Sequence, residues 1–569
     1  MKSLSLKSVL AVILVLLGGI ASAQVADTIF VGGDIVTVND KQPEAEAIAV
    51  KDGKILALGD RVAIEKAHRQ ATTKIVDLAG RALLPGFLDA HSHYISSLTV
   101  ANQVNVYAPP AGPGKDVAAI VAELLKFRDS KRIPKGDVIQ AYGYDENVMP
   151  DGRLLNRDDL DQACPDNPVI VGHVSMHGAV MNSAALRKWN ITAKTITPPG
   201  GIIVRKPGTD EPWGLIMETA FLPIFASLPK PNRAEEVEWT RAGQRLYAMA
   251  GITTAHEGAT HADEIAIMKR ATDAGANIID VIAFPFITDL ETVLETNPIS
   301  GWGKYDRHFK IGGVKITIDG SPQAKTAYFT KPYLSDGPSG EKDWRGELTF
   351  PEATVMRMVK KVYELGLPLN LHANGDAAID VFLKAHEFAA ADDLSKDRHV
   401  TVIHSQFVRP DQLDKYLRYR VTPSLYTLHT YYFAEAHIAN RGKEQTFYIS
   451  PMRDAIDKGL RPTNHTDFVV APLDQMFMMW SAVNRVSRAG QLIGASQRVS
   501  PLEALKAMTL NVAIQYGEEA LKGSLEVGKL ADMVILDRNP LKVDPMMIKD
   551  IKVVETFKEG KSIYQASNR

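Results

Sequence analysis

The chain has 569 residues, 45% hydrophobic and 23% charged, so it is long enough to bury one large core and a smaller one. Its 65 Lys and Arg nearly balance its 67 Asp and Glu, which gives a formal net charge of −2. This balance, with basic residues scattered along the chain, excludes the basic surface that nucleic-acid binding requires. The single cysteine, Cys164, excludes an intramolecular disulfide.

Residues 1–23 have the pattern of a signal peptide. Lys2 and Lys7 precede an apolar run at residues 9–17, and Ala-Ser-Ala at residues 21–23 forms a small-residue cleavage site. The alternative is an uncleaved membrane anchor, but the apolar run is short for a helix that spans a bilayer. We therefore expect an exported protein, periplasmic or secreted, that has no membrane attachment after signal cleavage.

Short β-prone runs lie at both ends of the mature chain. They fill residues 24–83 and return after residue 520, for example at residues 532–536. We expect residues 24–83 and 520–569 to pair in a composite β-sandwich. Residues 84–519 then form the main domain.

The main domain begins with an apolar strand that ends in two histidines. Residues 85–93 are Pro-Gly-Phe-Leu-Asp-Ala-His-Ser-His. Side chains two residues apart in a strand share a face, so His91 and His93 lie side by side. Imidazole suits borderline divalent ions such as Zn²⁺. The pair predicts half of a metal site.

A long segment, residues 95–245, separates this strand from the next β-prone run at residues 251–256. It is too long for a loop and must contain structure of its own. It includes His177 and a Gly- and Pro-rich stretch at residues 198–212.

Later β-prone runs each end in a polar residue, and from Lys315 onward helix-length segments separate them. The further strands are predicted at residues 278–284, near Lys315 and Asp319, at His372, at His404, at residues 421–426 and at Asp467. Strand and helix in alternation predict a parallel α/β fold. We expect a (β/α)8 TIM-like barrel whose strand ends converge on one mouth, with residues 95–245 as a capping insertion after strand 1.

These motifs resemble the amidohydrolase superfamily of metal-dependent hydrolases, and within it the amidohydrolase 3 (YtcJ-like) group. The resemblance covers nearly all of the mature chain. The matching runs are residues 83–93, Gly-Ile-Thr-Thr-Ala-His at 251–256, residues 314–316 with 319–321, residues 371–373 with 375–376, and residues 529–537.

The resemblance implies a divalent metal cofactor, Zn²⁺ by preference, with one or two ions. His91, His93 and Asp467 would hold one ion, and His372 and His404 the second. Lys315 would carry a CO₂-derived carboxylate that bridges the two, because a buried lysine has a lowered pKa and its neutral amine reacts with CO₂. The alternative for Lys315 is a core lysine that snorkels or pairs with Asp319.

Three further residues have catalytic assignments. Asp467 is the candidate proton shuttle between the attacking water and the leaving group. His177 and His429 match histidines of the subgroup that sit over the substrate. For both, and for His256, a structural role is the alternative. Glu218 matches a family position whose role is undefined.

The sequence departs from the subgroup pattern at the barrel mouth. Asn374 replaces an apolar residue, Tyr426 stands where glutamine is frequent, and Asn-His-Thr-Asp at residues 464–467 replaces Gly-Ser-Asp. The ligand set survives these changes, so they bear on the choice of substrate.

The predicted function is hydrolysis of a C–N bond, an amide or cyclic amide, of a small molecule by metal-activated water. The alternatives are a metal-dependent esterase or lactonase, and a non-catalytic exported binding protein. The expected partner is the small-molecule substrate, without nucleic acid. A homo-oligomer is left open.

Overall fold

The computed structural model describes residues 24–109, 111–146, 149–150, 153–173, 178–198, 201–228, 232–337 and 340–567. The segment interpreted as a signal peptide and the candidate His177 lie outside these ranges. Among the helices of the described ranges, none has both the length and the apolar character needed to cross a membrane.

Strands and helices alternate along most of the chain. The strands are β1 (Thr28–Val36), β2 (Glu44–Lys51), β3 (Lys54–Gly59), β4 (Lys74–Asp77), β5 (Ala82–Pro85), β6 (Phe87–Leu88), β7 (Val104–Asn105), β8 (Ile139–Tyr144), β9 (Val169–His173), β10 (Gly178–Met181), β11 (Gly201–Arg205), β12 (Pro212–Glu218), β13 (Ile252–Thr260), β14 (Asp280–Pro285), β15 (Phe309–Ile311), β16 (Val314–Thr317), β17 (Leu369–Ala373), β18 (Val400–His404), β19 (Val421–Leu425), β20 (Thr463–Asn464), β21 (Met533–Leu536), β22 (Val553–Lys558) and β23 (Lys561–Gln565). The α-helices are α1 (Arg61–His68), α2 (Tyr94–Val100), α3 (Val117–Lys131), α4 (Arg157–Ala163), α5 (Ser183–Lys188), α6 (Leu222–Ala226), α7 (Glu236–Met249), α8 (Ala262–Asp273), α9 (Leu290–Thr296), α10 (Glu352–Glu364), α11 (Asp376–Ala389), α12 (Pro410–Tyr419), α13 (His429–Tyr432), α14 (Ala434–Arg441), α15 (Lys443–Phe447), α16 (Met452–Asp457), α17 (Gln475–Asn484), α18 (Pro501–Lys506) and α19 (Leu510–Gln515).

Strands from both ends of the chain share one eight-stranded sheet. Its order is β23-β22-β21-β5-β1-β2-β3, and β4 pairs with β1. β21 runs antiparallel to β5, with Ile535 opposite Leu83. The two ends also pack together on one face, where the rings of Phe30 and Phe557 meet edge to face at 5.3 Å. This sheet ties the beginning and the end of the chain to each other.

The central domain is mixed α/β and TIM-barrel-like. Its parallel strands follow the orders β6-β13-β14-β15 and β16-β17-β18-β19-β20. Gly312 and Gly313 separate β15 from β16, and a bridge between Phe286 and Lys315 joins the two sets. A Cβ at Gly312 would lie 2.5 Å from Cγ2 of Ile282, so glycine is needed for this close approach.

The segment between α18 and α19 connects the first and last central strands. The backbone N–H of Leu88 in β6 donates to the carbonyl of Met508, and that of Asn464 in β20 donates to the carbonyl of Ala507. The ends of β6 and β20 are thereby held near each other, together with the loops that follow them.

A separate six-stranded sheet is built from residues 104–218. Its order is β11-β12-β10-β9-β8-β7, and it has its own buried cluster that includes Ile139, Val169 and Leu124. Tyr107, which follows β7, donates a hydrogen bond from its hydroxyl to the carbonyl of Val469 at 3.2 Å. The sheet therefore contacts the loop that follows β20.

The first central strand ends earlier than the sequence predicts. β6 stops at Leu88, and His91 and His93 lie in the loop between β6 and α2. The Asp89 carboxylate turns the chain there, because it accepts hydrogen bonds from the backbone N–H of His91 and from the hydroxyl of Ser92. The two histidines thus owe their arrangement to this turn, whereas strand alternation was expected to place them.

Candidate metal centre

His91, His93 and Asp467 come together at the ends of β6 and β20. Oδ1 of Asp467 lies 3.4 Å from Nε2 of His91 and 3.5 Å from Nε2 of His93. One candidate ligand atom from each residue falls within 4.8 Å of the other two. Oδ1 is buried and accepts no hydrogen bond from the described residues. Two imidazoles and an unsatisfied carboxylate oxygen at this spacing are the donor set that a Zn²⁺ ion takes.

The ring of His93 is oriented by the backbone of β13. Its Nδ1 lies 3.0 Å from the carbonyl oxygen of Gly258, so Nδ1 carries the proton and donates it there. Nε2 then keeps its lone pair on the side of Asp467. A Cβ at Gly258 would lie 2.6 Å from Cε1 of His91, so glycine also leaves room for the neighbouring ring.

The ring of His256 packs against that of His91. The two ring centroids lie 4.9 Å apart. Nε2 of His256 accepts from the Asn370 amide at 2.9 Å, and Nδ1 lies 3.3 Å from the carbonyl oxygen of Ser92. Both ring nitrogens are engaged, which favours the structural role for His256 over a substrate contact.

His372 and His404 form a second group beside Asp467. Their ring centroids are 4.6 Å apart, and Nε2 of His404 lies 3.9 Å from Oδ2 of Asp467. Nε2 of His372 faces Oδ1 of Asp319 at 3.4 Å, which leaves Nδ1 as the nitrogen for another ligand. The two oxygens of Asp467 therefore face different histidines.

Asp319 organises the loops around this second group. Its carboxylate accepts hydrogen bonds from the backbone N–H groups of Tyr328, Asn374 and Gly375 at 3.1, 2.9 and 2.8 Å. In the described part of the chain it makes no ion pair with Lys315, so the alternative pairing of these two residues is not observed. The role of Asp319 is to hold the loop after β17.

Lys315 is buried in β16 with 2% of its surface exposed. Burial lowers its pKa to about 8, although the carboxylates of Asp467 and Glu257 oppose the shift. A lysine with this pKa has an appreciable neutral fraction near pH 7 to 8, and the neutral amine is the form that reacts with CO₂.

Charge in the centre is set mainly by burial. Burial lowers the pKa of His91 and His404 well below the ordinary range, so both rings stay neutral and keep a lone pair. Burial alone would raise the pKa of Asp467, but the adjacent imidazoles of His93, His404 and His465 hold it below its usual value. The group thus combines neutral imidazoles at His91 and His404 with an ionised carboxylate at Asp467.

His429 opens α13, which follows β19. Its ring lies 4.2 Å from Tyr426 and 6.1 Å from His404, and within the described residues its buried Nδ1 has no hydrogen-bond partner. Glu218 ends β12 in the six-stranded sheet. His177 cannot be placed, because it lies outside the described residues.

Several residues of the centre were given no role from the sequence. They are Asp89 and Ser92 in the turn before α2, Glu257 beside His93, and His465 against His404. Ser92 stands inside the His-x-His motif and Asp89 two residues before it, which was the available signal. The only hint at His465 was its departure from the subgroup pattern two residues before Asp467.

Known proteins share this architecture over nearly the whole chain. A family model described as the amidohydrolase family matches residues 74–564. The chain is 26% identical over 550 residues to YtcJ of Bacillus subtilis, which is named as an amidohydrolase, covering 94% of this chain and 99% of that one. It is 24% identical over 557 residues to the N-substituted formamide deformylase of Arthrobacter pascens, covering 95% and 99%. A metal-dependent hydrolase structure from Pyrococcus horikoshii matches with a TM-score of 0.68 and 24% identity over 91% of this chain and 99% of that one, and it shows the fold.

Proposed function

The chain belongs to the amidohydrolase family, as its motifs indicated, and on that premise we propose that it hydrolyses an amide or cyclic amide bond of a small molecule. It is a metal-dependent hydrolase of carbon–nitrogen bonds. The observation that carries the proposal is the convergence of His91, His93 and Asp467 on one point, where Oδ1 of Asp467 is buried without a partner.

The residues fit a divalent metal, Zn²⁺ by preference. His91, His93 and Asp467 would hold one ion, and His372 and His404 the second. A carboxylated Lys315 would bridge them. When bound, such an ion lowers the pKa of a water ligand to about 7 and so supplies a nucleophile at neutral pH.

The chain's own residues supply the proton transfers. The carboxylate of Asp467 accepts the proton of the attacking water and delivers it to the leaving nitrogen. The ring of His429, whose buried Nδ1 has no partner among the described residues, donates to the carbonyl oxygen of the substrate. For His177, in the predicted insertion, we propose the same role.

Support for the bond type comes from the relatives. The deformylase of Arthrobacter pascens is named for N-substituted formamides, which are small amides. Export remains part of the proposal, because residues 1–23 have a signal-peptide pattern. A periplasmic or secreted hydrolase would meet small amides from the surroundings of the cell.

Metal analysis and a substrate panel test the proposal together. The purified mature chain is expected to contain Zn²⁺ or another divalent ion by elemental analysis and to hydrolyse members of a panel of N-acyl amines, N-acyl amino acids and cyclic amides. Matched esters in the same panel reveal an esterase.

The double variant His91→Ala, His93→Ala should lose metal and activity while it stays folded. His68→Ala is the control. His68 lies in α1, outside the candidate metal centre, so this variant should keep metal and activity. Full metal content in the double variant would refute the assignment.

A further inference from the structure

A cavity of about 210 Å³ lies between α2 and the six-stranded sheet. Its walls are mainly apolar and aromatic. They include Val100 from α2, Tyr107 after β7, Tyr142 in β8, and Phe221 and Phe225 near α6.

The cavity adjoins the candidate metal centre. α2 begins directly after His93, and Ser96, whose backbone N–H donates to the carbonyl of His93, lines the cavity. Val469 also lines the cavity and stands two residues after Asp467. The side chain of His93 is 36% exposed, so the ring faces open space in this otherwise buried centre. A substrate held at the metal ligands would therefore have the cavity beside it.

Glycines in the sheet keep the cavity open. Gly143 in β8 has φ +97°, and a Cβ there would lie 2.6 Å from the ring of Tyr107. Only glycine lets Tyr107 lie against the strand in this way. Gly172 and Gly178, in β9 and β10, also line the cavity without adding a side chain.

Two polar contacts at the cavity are made within the protein. Nε2 of Gln103 donates to Oε1 of Gln140 at 3.1 Å, and the ring of His173 lies 2.5 Å from a carboxylate oxygen of Glu146. No Lys, Arg, Asp or Glu stands among the described residues of its lining. A charged ligand group would be desolvated there, and His173, the one titratable imidazole of the described lining, is already engaged by Glu146, so its burial is strongly unfavourable.

We propose that this cavity binds an uncharged aromatic or branched aliphatic substituent of the amide substrate. The inference rests on the proposed hydrolysis of amides, and it adds the class of substituent that the enzyme selects. A cavity of about 150 Å³ suffices for benzene in another protein, so about 210 Å³ admits a phenyl ring. The substituent stands on either the amine or the acyl side of the scissile bond.

A matched panel of amides distinguishes the two sides. N-Benzylacetamide is compared with N-methylacetamide for the amine side, and N-methyl-2-phenylacetamide with N-methylacetamide for the acyl side. We expect kcat/KM to rise by about tenfold or more for at least one phenyl compound, since one methylene in an apolar pocket is worth about tenfold. N-(4-Carboxybenzyl)acetamide should lose the gain of its neutral parent. Equal kcat/KM for all four compounds would overturn the proposal.

A filling variant locates the preference in the cavity. Ser96→Phe adds a ring from α2 at little change in helix propensity, and it should abolish the gain for the phenyl compound while metal content stays normal. Thr99→Phe, one turn further along the same wall, is the second filling variant if the first does not fold. Ser130→Phe, on the exposed end of α3, is the matched control and should keep the gain. A preference that survives both filling variants would place the substituent elsewhere.

Calorimetry separates this inference from the proposed reaction. If the metal-loaded protein hydrolyses no amide, the reaction has failed, and binding of N-benzylacetamide and N-methylacetamide is measured by isothermal titration. Tighter binding of the benzyl compound, lost in Ser96→Phe and kept in Ser130→Phe, would still support the cavity as an aryl site. Equal binding of both amides would refute it.

Discussion

Nε2 of His465 lies 3.2 Å from Nδ1 of His404, although the two residues are 61 positions apart. Nδ1 of His465 in turn lies 3.0 Å from the hydroxyl of Ser424. When Nδ1 of His404 donates to Nε2 of His465, Nε2 of His404 keeps its lone pair for a metal ligand bond. Groups that fix the tautomer of a ligating histidine tune metal affinity without touching the metal.

We therefore expect His465→Ala to weaken metal binding by about 10- to 100-fold, the usual effect of removing a partner of a ligating histidine. Competition with a chromogenic chelator measures the affinity. His386→Ala is the control, because His386 is also buried and stacks on Tyr419 at 4.8 Å but lies in α11, outside the centre. Metal affinity that falls equally in both variants would mean that His465 acts only through general stability.

Asp467→Asn tests the proton shuttle. The substitution keeps the volume and one oxygen but removes the proton acceptor, so kcat should fall by about 10²-fold or more at an unchanged melting profile. The metal content of the variant is measured in parallel, since Asp467 is also a candidate ligand. Turnover close to that of the wild type, with metal retained, would move the shuttle to another residue.

Lys315→Ala tests the carboxylated bridge. The variant should lose most of its activity and regain part of it when acetate or propionate fills the vacant space, because a short carboxylate replaces the lost bridge. Acetamide has nearly the same shape without the charge and should not rescue. Equal effects of acetate and acetamide, or a density map with an unmodified amine, would contradict the bridge.

His429→Ala tests the substrate contact. Because the ring lies 6.1 Å from that of His404 and is not a proposed ligand, the variant should raise KM or lower kcat with full metal content. His177→Ala should behave in the same way if the insertion reaches the substrate. Loss of metal from His429→Ala would assign it to the ligand set.

A buried ion network, remote from the metal ligands, predicts how stability varies with pH. Nζ of Lys558 lies 2.8 Å from both Asp280 and Asp532, and Lys522 also pairs with Asp280. Burial alone would raise the pKa of Asp280, but the ammonium groups of Lys522 and Lys558 outweigh burial and hold it well below its ordinary value. Asp280→Asn leaves these ammonium groups without their shared partner and should lower the free energy of unfolding by about 3–5 kcal/mol.

The sign of the pH effect follows from the lowered pKa. The ionised carboxylate stabilises the fold fully above the unfolded pKa of about 3.9, and this contribution is lost as the pH falls toward the native pKa. The gap in melting temperature between the wild type and Asp280→Asn should be large at pH 7 and should shrink below about pH 4. Asp306→Asn removes a carboxylate that is 69% exposed, and it should show no such gap. A gap that is constant from pH 7 to pH 3 would contradict the prediction.

The sequence predicted the central ligand candidates because they follow apolar strands. Parallel strands present their carboxyl ends at one edge, so His372 in β17 and His404 in β18 had to lie near each other. The same argument brought Lys315 in β16 to that edge. These positions depend only on the order of the strands, which the β-prone runs and the helix-length segments between them reveal.

Other features depend on geometry that no local pattern encodes. The contact of His465 with His404 joins β18 to the loop after β20, and these strands are separated by β19. The alternation of side chains predicted that the first central strand continues to His93, whereas in the structure it ends at Leu88 and a turn at Asp89 follows. The cavity beside α2 depends on how the six-stranded sheet lies against the loop at Val469, which the sequence of neither part specifies.

The pairing of β21 with β5 has a consequence for synthesis of the chain. While the ribosome is still making residues 86–532, the edge of β5 at Leu83 and Leu84 has no neighbour on the side that Met533–Leu536 later occupies. An open apolar edge of this kind invites pairing with another nascent chain. A stop codon shortly before residue 533 would leave that edge open permanently, so such a truncation should yield inclusion bodies even though every candidate metal ligand would be present in the polypeptide.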